Sequence, residues 1–257
     1  LCVVIVKDKK EEIYSSIDNQ SLREDLVSKL SLFRDYKIIQ GNTIAADSNA
    51  EEYMNMASRY NSDFILQASY NNKAATINAK VIDAYSGRVF WTKKIIKESG
   101  ESEIIFLDKA TKIISANIAG YDGCIYREIL QSALSKNYDD LTAVELLQLG
   151  KSIWEDVNKE NLIRAVGNLN KCISLNPENS TAYAVLADVY YEFERKKFSF
   201  PGATEKSAEN IKKAIKLDPK NSIVITTKFW IDWDKGDAIS SQVLAEESIR
   251  SNPNEPW

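Results

Sequence analysis

Apolar positions along the chain follow two different periods, and the change comes near the middle. The opening LCVVIV is an unbroken apolar run, followed at once by the charged KDKKEE. A run of this kind predicts a short buried strand. From residue 21 the period is helical: Leu22, Leu26, Leu30 and Phe33 share one stripe, and Ser21 and Glu24 have the spacing of a capping box. Residues 36–40 read as a strand ended by Gly41. Residues 50–60 read as a helix with Tyr53, Met56 and Ala57 on its inner face. Three strands are predicted next, over 63–70, over 73–84 and from 89 onward. In the second, Ile77, Ala79 and Val81 alternate with Asn78, Lys80 and Ile82; in the third, Val89, Trp91 and Lys93 alternate with Phe90 and Thr92. The turn between them, Ala84-Tyr85-Ser86-Gly87, needs a residue that accepts positive φ, and Gly87 provides it. Helical spacing returns over 103–120, with Gly120 as its C-cap. The order strand, helix, strand, helix, three strands, helix predicts an α/β layer, a mixed sheet with packed helices.

Beyond residue 143 one phrase recurs: NKCISLNPENS, KKAIKLDPKNS and EESIRSNPNEP, with Pro177, Pro219 and Pro253 at equivalent places. The last two prolines are 34 residues apart, the length of a tetratricopeptide unit, and the first two are 42 apart. The extra length falls at FERKKFSFPG, residues 193–202. Small residues (Gly150, Ala165, Ala187, Ala214) let paired helices approach, and each proline stops a helix before the next unit. Gly236 stands where the turn inside the third unit belongs. The second half is therefore expected to be an all-α helical solenoid of about three repeats.

Composition narrows the function. The chain has 257 residues, 44% of them hydrophobic and 27% charged, with a net charge of -4. That balance offers no basic face for nucleic acid, and no run approaches the length of a membrane helix. Histidine is absent, which removes the commonest general base, the usual triads and most mixed zinc sites. Cys2, Cys124 and Cys172 are far apart, which disfavours a disulfide framework. Nine glycines include no phosphate-cradling pattern. A non-enzyme without cofactor or metal is expected.

The phrases SLREDLVSKLSLFRDYKIIQ and DFILQASYNNKAATINAKVIDAYSGRVFWTKK resemble the TolB-like amino-terminal domain. Its most recognisable form lies at Asp83, Ala84, Ser86, Gly87 and Trp91. AVELLQLGKSIW, residues 143–154, is similar to the start of the tetratricopeptide repeats that follow that domain in relatives. The resemblance implies a TolB-like α/β domain over 1–123, a linker helix over 124–142 and repeats over 143–257. It also implies the effector half of a HilA-type bacterial transcription regulator, more distantly of the CadC type, or the regulatory tail of a bacterial adenylate cyclase. A free-standing scaffold is the alternative of another class. The chain opens on a buried strand and stops at PNEPW, so residues are expected beyond both ends, an output domain upstream among them. The HilA-type likeness implies the cytoplasm; the CadC-type plan implies the periplasm.

Binding is expected along a concave face lined by the first helix of each unit. Counted from Gly150, Ala187 and Phe229, the inward positions are Lys151 and Trp154, Asp188 and Tyr191, Trp230 and Trp233. Aromatic and charged side chains in a groove suit a protein or peptide partner, a second copy of the chain, or a small-molecule effector. The alternative for each tryptophan is packing between units. A second candidate surface is the 193–202 insertion, with Arg195, Lys196 and Lys197 beside Phe198 and Phe200. A third is a pocket near Tyr121 and Tyr126.

Overall fold

The computed structural model describes residues 2–5, 18–45 and 48–254. The chain divides into two compact units, the first ending at Ile125 and the second beginning at Tyr126.

In the first unit β1 (Cys2–Ile5) is followed by α1 (Asn19–Leu30), β2 (Ile39–Gln40), α2 (Ala50–Tyr60), β3 (Phe64–Asn71), β4 (Thr76–Asp83), β5 (Val89–Ile96) and α3 (Glu103–Ala119). The strand order is β2-β1-β3-β4-β5, with the last three strands antiparallel. This corrects the expected fold class. The sheet is essentially a three-stranded antiparallel meander of eight-residue strands, while β1 and β2, the parallel part, hold four and two residues. Helices predominate in the chain, so a mixed-sheet α/β domain does not describe it. The strand expected over 36–40 shrinks to its last two residues because residues 31–36 turn after α1.

The cap of α1 is also corrected. Asp18, not Ser21, is the N-cap: its Oδ1 accepts from the Ser21 backbone N–H at 2.6 Å and from the Ser21 hydroxyl at 2.7 Å. The turn between β4 and β5 repeats this chemistry. Asp83 Oδ1 accepts from Ser86 N–H at 2.7 Å and Tyr85 N–H at 3.1 Å. Gly87 sits at φ +70°, and a Cβ there would lie 2.6 Å from the Ala50 Cβ, so geometry and space both demand glycine. Tyr53 and Ala57 of α2 cover Ile65, Ile82 and Ala84 on one face of the sheet. Ile82 reaches that face by the alternation of β4, opposite Ile65 in an unbroken β3–β4 register. Met56 packs against the same cluster, partly buried.

The second unit is helical. α4 (Cys124–Leu134) crosses the division between units and gives way to a 3-10 turn at Tyr138–Asp140, so the expected linker helix is shorter than 124–142. α5 (Ala143–Lys151) ends in a second 3-10 turn, Ser152–Glu155. α6 (Lys159–Leu175), α7 (Ser180–Arg195), α8 (Ala203–Leu217), α9 (Ser222–Asp234) and α10 (Ala238–Ser251) follow. Each of α5 to α9 packs on its successor, and α7 also packs on α9.

The recurring phrase sets these helix ends. The residues before the three prolines, Asn176, Asp218 and Asn252, have φ of -141°, -151° and -148° with ψ of 85°, 89° and 88°. A residue before proline is pushed out of the helical region, so the same dipeptide stops α6, α8 and α10 in one conformation. Two residues past the first two prolines, Asn179 and Asn221 cap α7 and α9. Asn221 also donates to Thr181 Oγ1 at 2.9 Å and Ser180 Oγ at 3.1 Å, which ties the start of α9 to the start of α7. Gly150 lets α5 and α6 approach: a Cβ there would lie 2.6 Å from Leu169 side-chain carbons.

Candidate functional site

The six predicted groove residues fall into three environments. Lys151 is only 4% exposed, at the end of α5, and its ammonium lies 5.3 Å from the centre of the Tyr126 ring of α4. α4 also reaches the start of α5, where Ser132 Oγ donates to Glu145 Oε1 at 3.0 Å. Trp154, in the 3-10 turn after α5, is half-buried against the core cluster of Leu146, Leu162 and Leu169. These two side chains serve packing.

Asp188 and Tyr191 lie on α7 and do meet a neighbour. Tyr191 is buried, and its hydroxyl donates to Asp234 Oδ2 at the end of α9 over 3.2 Å. Asp188, Tyr191, Glu192 and Arg195 are spaced three, four and seven residues along α7, so they share a stripe. Glu192 is buried and holds Arg195, whose Nε and Nη2 donate to its two carboxylate oxygens at 2.7 and 2.8 Å. Lys235 lies 6.0 Å from the centre of the Tyr191 ring.

This setting perturbs two groups. Burial pushes the Asp188 carboxyl up to about 7; the negative charges of Glu192 and Asp234 add to the rise, and Arg195 partly offsets it. Asp188 itself is partly buried. Burial also pushes the Tyr191 hydroxyl up to about 12, reinforced by the charge of Asp234 and the hydrogen bond to it. Neither Asp188 nor Asp234 is in an ion pair among the described residues.

Trp230 and Trp233, on α9, are 53% and 54% exposed. The Phe229 ring organises them: its centre lies 4.9 Å from that of Trp230, edge-on, and 6.0 Å from that of Trp233, stacked. Asp234 follows Trp233 and lies one turn beyond Trp230. The aromatic pair thus borders the Asp188–Tyr191–Asp234 cluster.

The sequence pattern did not select Glu192, Asp234 or Phe229 as site residues. One signal was present: Asp188 and Glu192 are like charges four apart on α7, an arrangement that costs stability unless something answers it.

The 193–202 insertion turns out to be anchored. Phe200 packs 4.6 Å from Phe193 and 5.4 Å from Tyr190, ring centre to ring centre, and Phe198 packs on the same core. Arg195 belongs to α7, while Lys196 and Lys197 are exposed. An open cavity of about 380 Å³ lies between Phe193, Phe198, Phe200 and Glu205. Among the described residues no group of three carboxylate or thiol side chains is placed to hold a metal ion, and no helix is long and apolar enough to cross a membrane.

No protein-family model matches the chain, and no curated protein matches it significantly.

Proposed function

We propose that this chain is a non-catalytic interaction and sensory module of a bacterial transcription regulator, working in the cytoplasm and controlling a DNA-binding domain outside it. The helical unit takes a protein or peptide partner along the α7–α9 face. One observation carries the binding part: Trp230 and Trp233 stand half in solvent beside Asp234, which the Tyr191 hydroxyl ties to α7 near the partly buried, un-ion-paired Asp188. Large aromatics are seldom left in pairs on a surface without a partner, and aromatic anchors dominate the energy of interfaces. The regulatory part is supported by the TolB-like and tetratricopeptide resemblance, an argument by analogy.

The test is made in the natural gene, with Trp230 and Trp233 both changed to alanine. Transcript levels and cyclic AMP are compared with the unaltered strain at equal protein abundance. A defined set of transcripts is expected to change at least fivefold with cyclic AMP constant. A change in cyclic AMP alone would transfer the reading to the cyclase tail, and no change in either would refute a regulatory role for this face.

A further inference from the structure

The α9 aromatic face has a chemistry beside it that selects its occupant. Three carboxylates border it: Asp188 and Glu192 from α7, and Asp234 from α9. Two cations stand nearby, and both are engaged. Arg195 is held by both oxygens of Glu192, and Lys235 lies over the Tyr191 ring. Lys228, also on α9, is paired with Asp232. The charge of Arg195 reaches Asp188 and Asp234, but among the described residues neither carboxylate is in an ion pair, and Asp188 is partly buried. A partly buried carboxylate outside any ion pair costs stability when ionised, and a partner that brings a cation offsets that cost.

We propose that the α7–α9 face binds a basic segment of a partner polypeptide, with a lysine or arginine side chain placed between Asp188 and Asp234 and neighbouring apolar side chains on Trp230 and Trp233. This rests on the reading of that face as a binding groove and adds the charge class of its occupant. Arginine and lysine meet both demands of the surface: a cationic head for the carboxylates and an aliphatic stem that lies well on indole. A metal ion does not fit, since among the described residues no three acidic or thiol side chains are placed to hold one, these three carboxylates included. Nucleic acid and anionic lipid headgroups are repelled by the same carboxylates.

The test uses the full chain and three N-acetylated, C-amidated tetrapeptides: Leu-Lys-Lys-Leu, Leu-Gln-Gln-Leu and Leu-Glu-Glu-Leu. Binding is followed by NMR through the indole N–H signals of Trp230 and Trp233, assigned with Trp230→Phe and Trp233→Phe. The lysine peptide is expected to move both signals and to bind at least tenfold more tightly than the glutamine peptide. The doubly changed Asp188→Asn, Asp234→Asn chain is expected to lose that tenfold preference. Asparagine still accepts from the Tyr191 hydroxyl, and an unchanged indole spectrum before titration confirms the fold. Glu209→Gln, an exposed acid on α8, is expected to change nothing; if it weakens binding as much, the attraction is only that of an acidic protein and the proposal fails. Equal or tighter binding of the glutamine or glutamate peptide at these indoles would overturn the charge class while leaving the groove. Silence of both indoles with all three peptides would overturn the groove itself, and the proposal with it.

Discussion

Lys151 with Trp154, and Trp230 with Trp233, hold equivalent places in the recurring sequence pattern, yet they end differently. The first pair is taken into the protein: Lys151 is 4% exposed against Tyr126, and Trp154 is half-buried on the core. The second pair stands 53% and 54% exposed. The difference is what lies over them. α4 covers α5, through Tyr126 and the Ser132–Glu145 hydrogen bond, and no described helix covers the Trp230 and Trp233 face of α9. A repeat position specifies a stripe on a helix; only a neighbouring element decides whether that stripe is core or surface.

The firmest way to break this contrast is at the covered end. Gly150→Val would drive a branched side chain into Leu169, whose carbons already lie 2.6 Å from where a Cβ would be. Overpacking on this scale costs about 3 kcal/mol. Urea unfolding should show the loss; a midpoint equal to the parent's would mean that α5 and α6 do not approach as described. Trp154→Ala comes next, with a loss of about 2 kcal/mol by the same measurement, less than a fully buried tryptophan because it is only half-covered.

The close approach at Gly150 is legible in the sequence, whereas Trp154, expected in the groove, packs on the core. The helix ends were legible because proline acts on the residue before it and on nothing remote, so Asn176, Asp218 and Asn252 adopt one conformation wherever the phrase occurs. Gly87 was legible for the same local reason, though its second constraint, contact with Ala50, was not. The parallel part of the sheet is smaller than the pattern suggests: two apolar runs look like full strands, but β1 and β2 pair over only a few residues. The site was half legible. Asp188 and Tyr191 lie on one helix stripe, so spacing selected them. Asp234 joins them from 43 residues beyond Tyr191, through a hydroxyl–carboxylate contact that no period encodes.

The uncovered region makes a prediction opposite in sign to those at the covered end. The Asp188 carboxyl has its folded pKa raised above the unfolded value of 3.8, to about 7. Its protonated form is the one the fold favours, so stability is full below about pH 4 and falls as pH rises through 7. Asp188→Asn removes that penalty. The whole shift would be worth about 4 kcal/mol, and residual exposure reduces it to about 1–2 kcal/mol. The variant should be more stable than the parent at pH 8 and nearly equal to it at pH 4. A parent whose thermal midpoint tracks that of Asp188→Asn across this range would show that the carboxyl titrates as in solvent.

The smallest effect is the most telling. Trp230→Ala on the uncovered face should change stability by less than about 0.5 kcal/mol, because the ring keeps more than half its surface in water and its loss opens no internal cavity. Trp154→Ala, at the matching place in the pattern, should cost several times more. The ratio of the two, measured in parallel by urea unfolding, therefore tests covering directly, without any ligand. If Trp230→Ala proves as damaging as Trp154→Ala, the aromatic face of α9 belongs to the core after all. Its exposed rings would then have no claim as an anchor for a partner. If it is silent in unfolding and yet loses the lysine-peptide response, stability and recognition have been separated at one residue. That separation is what a side chain kept for binding must show.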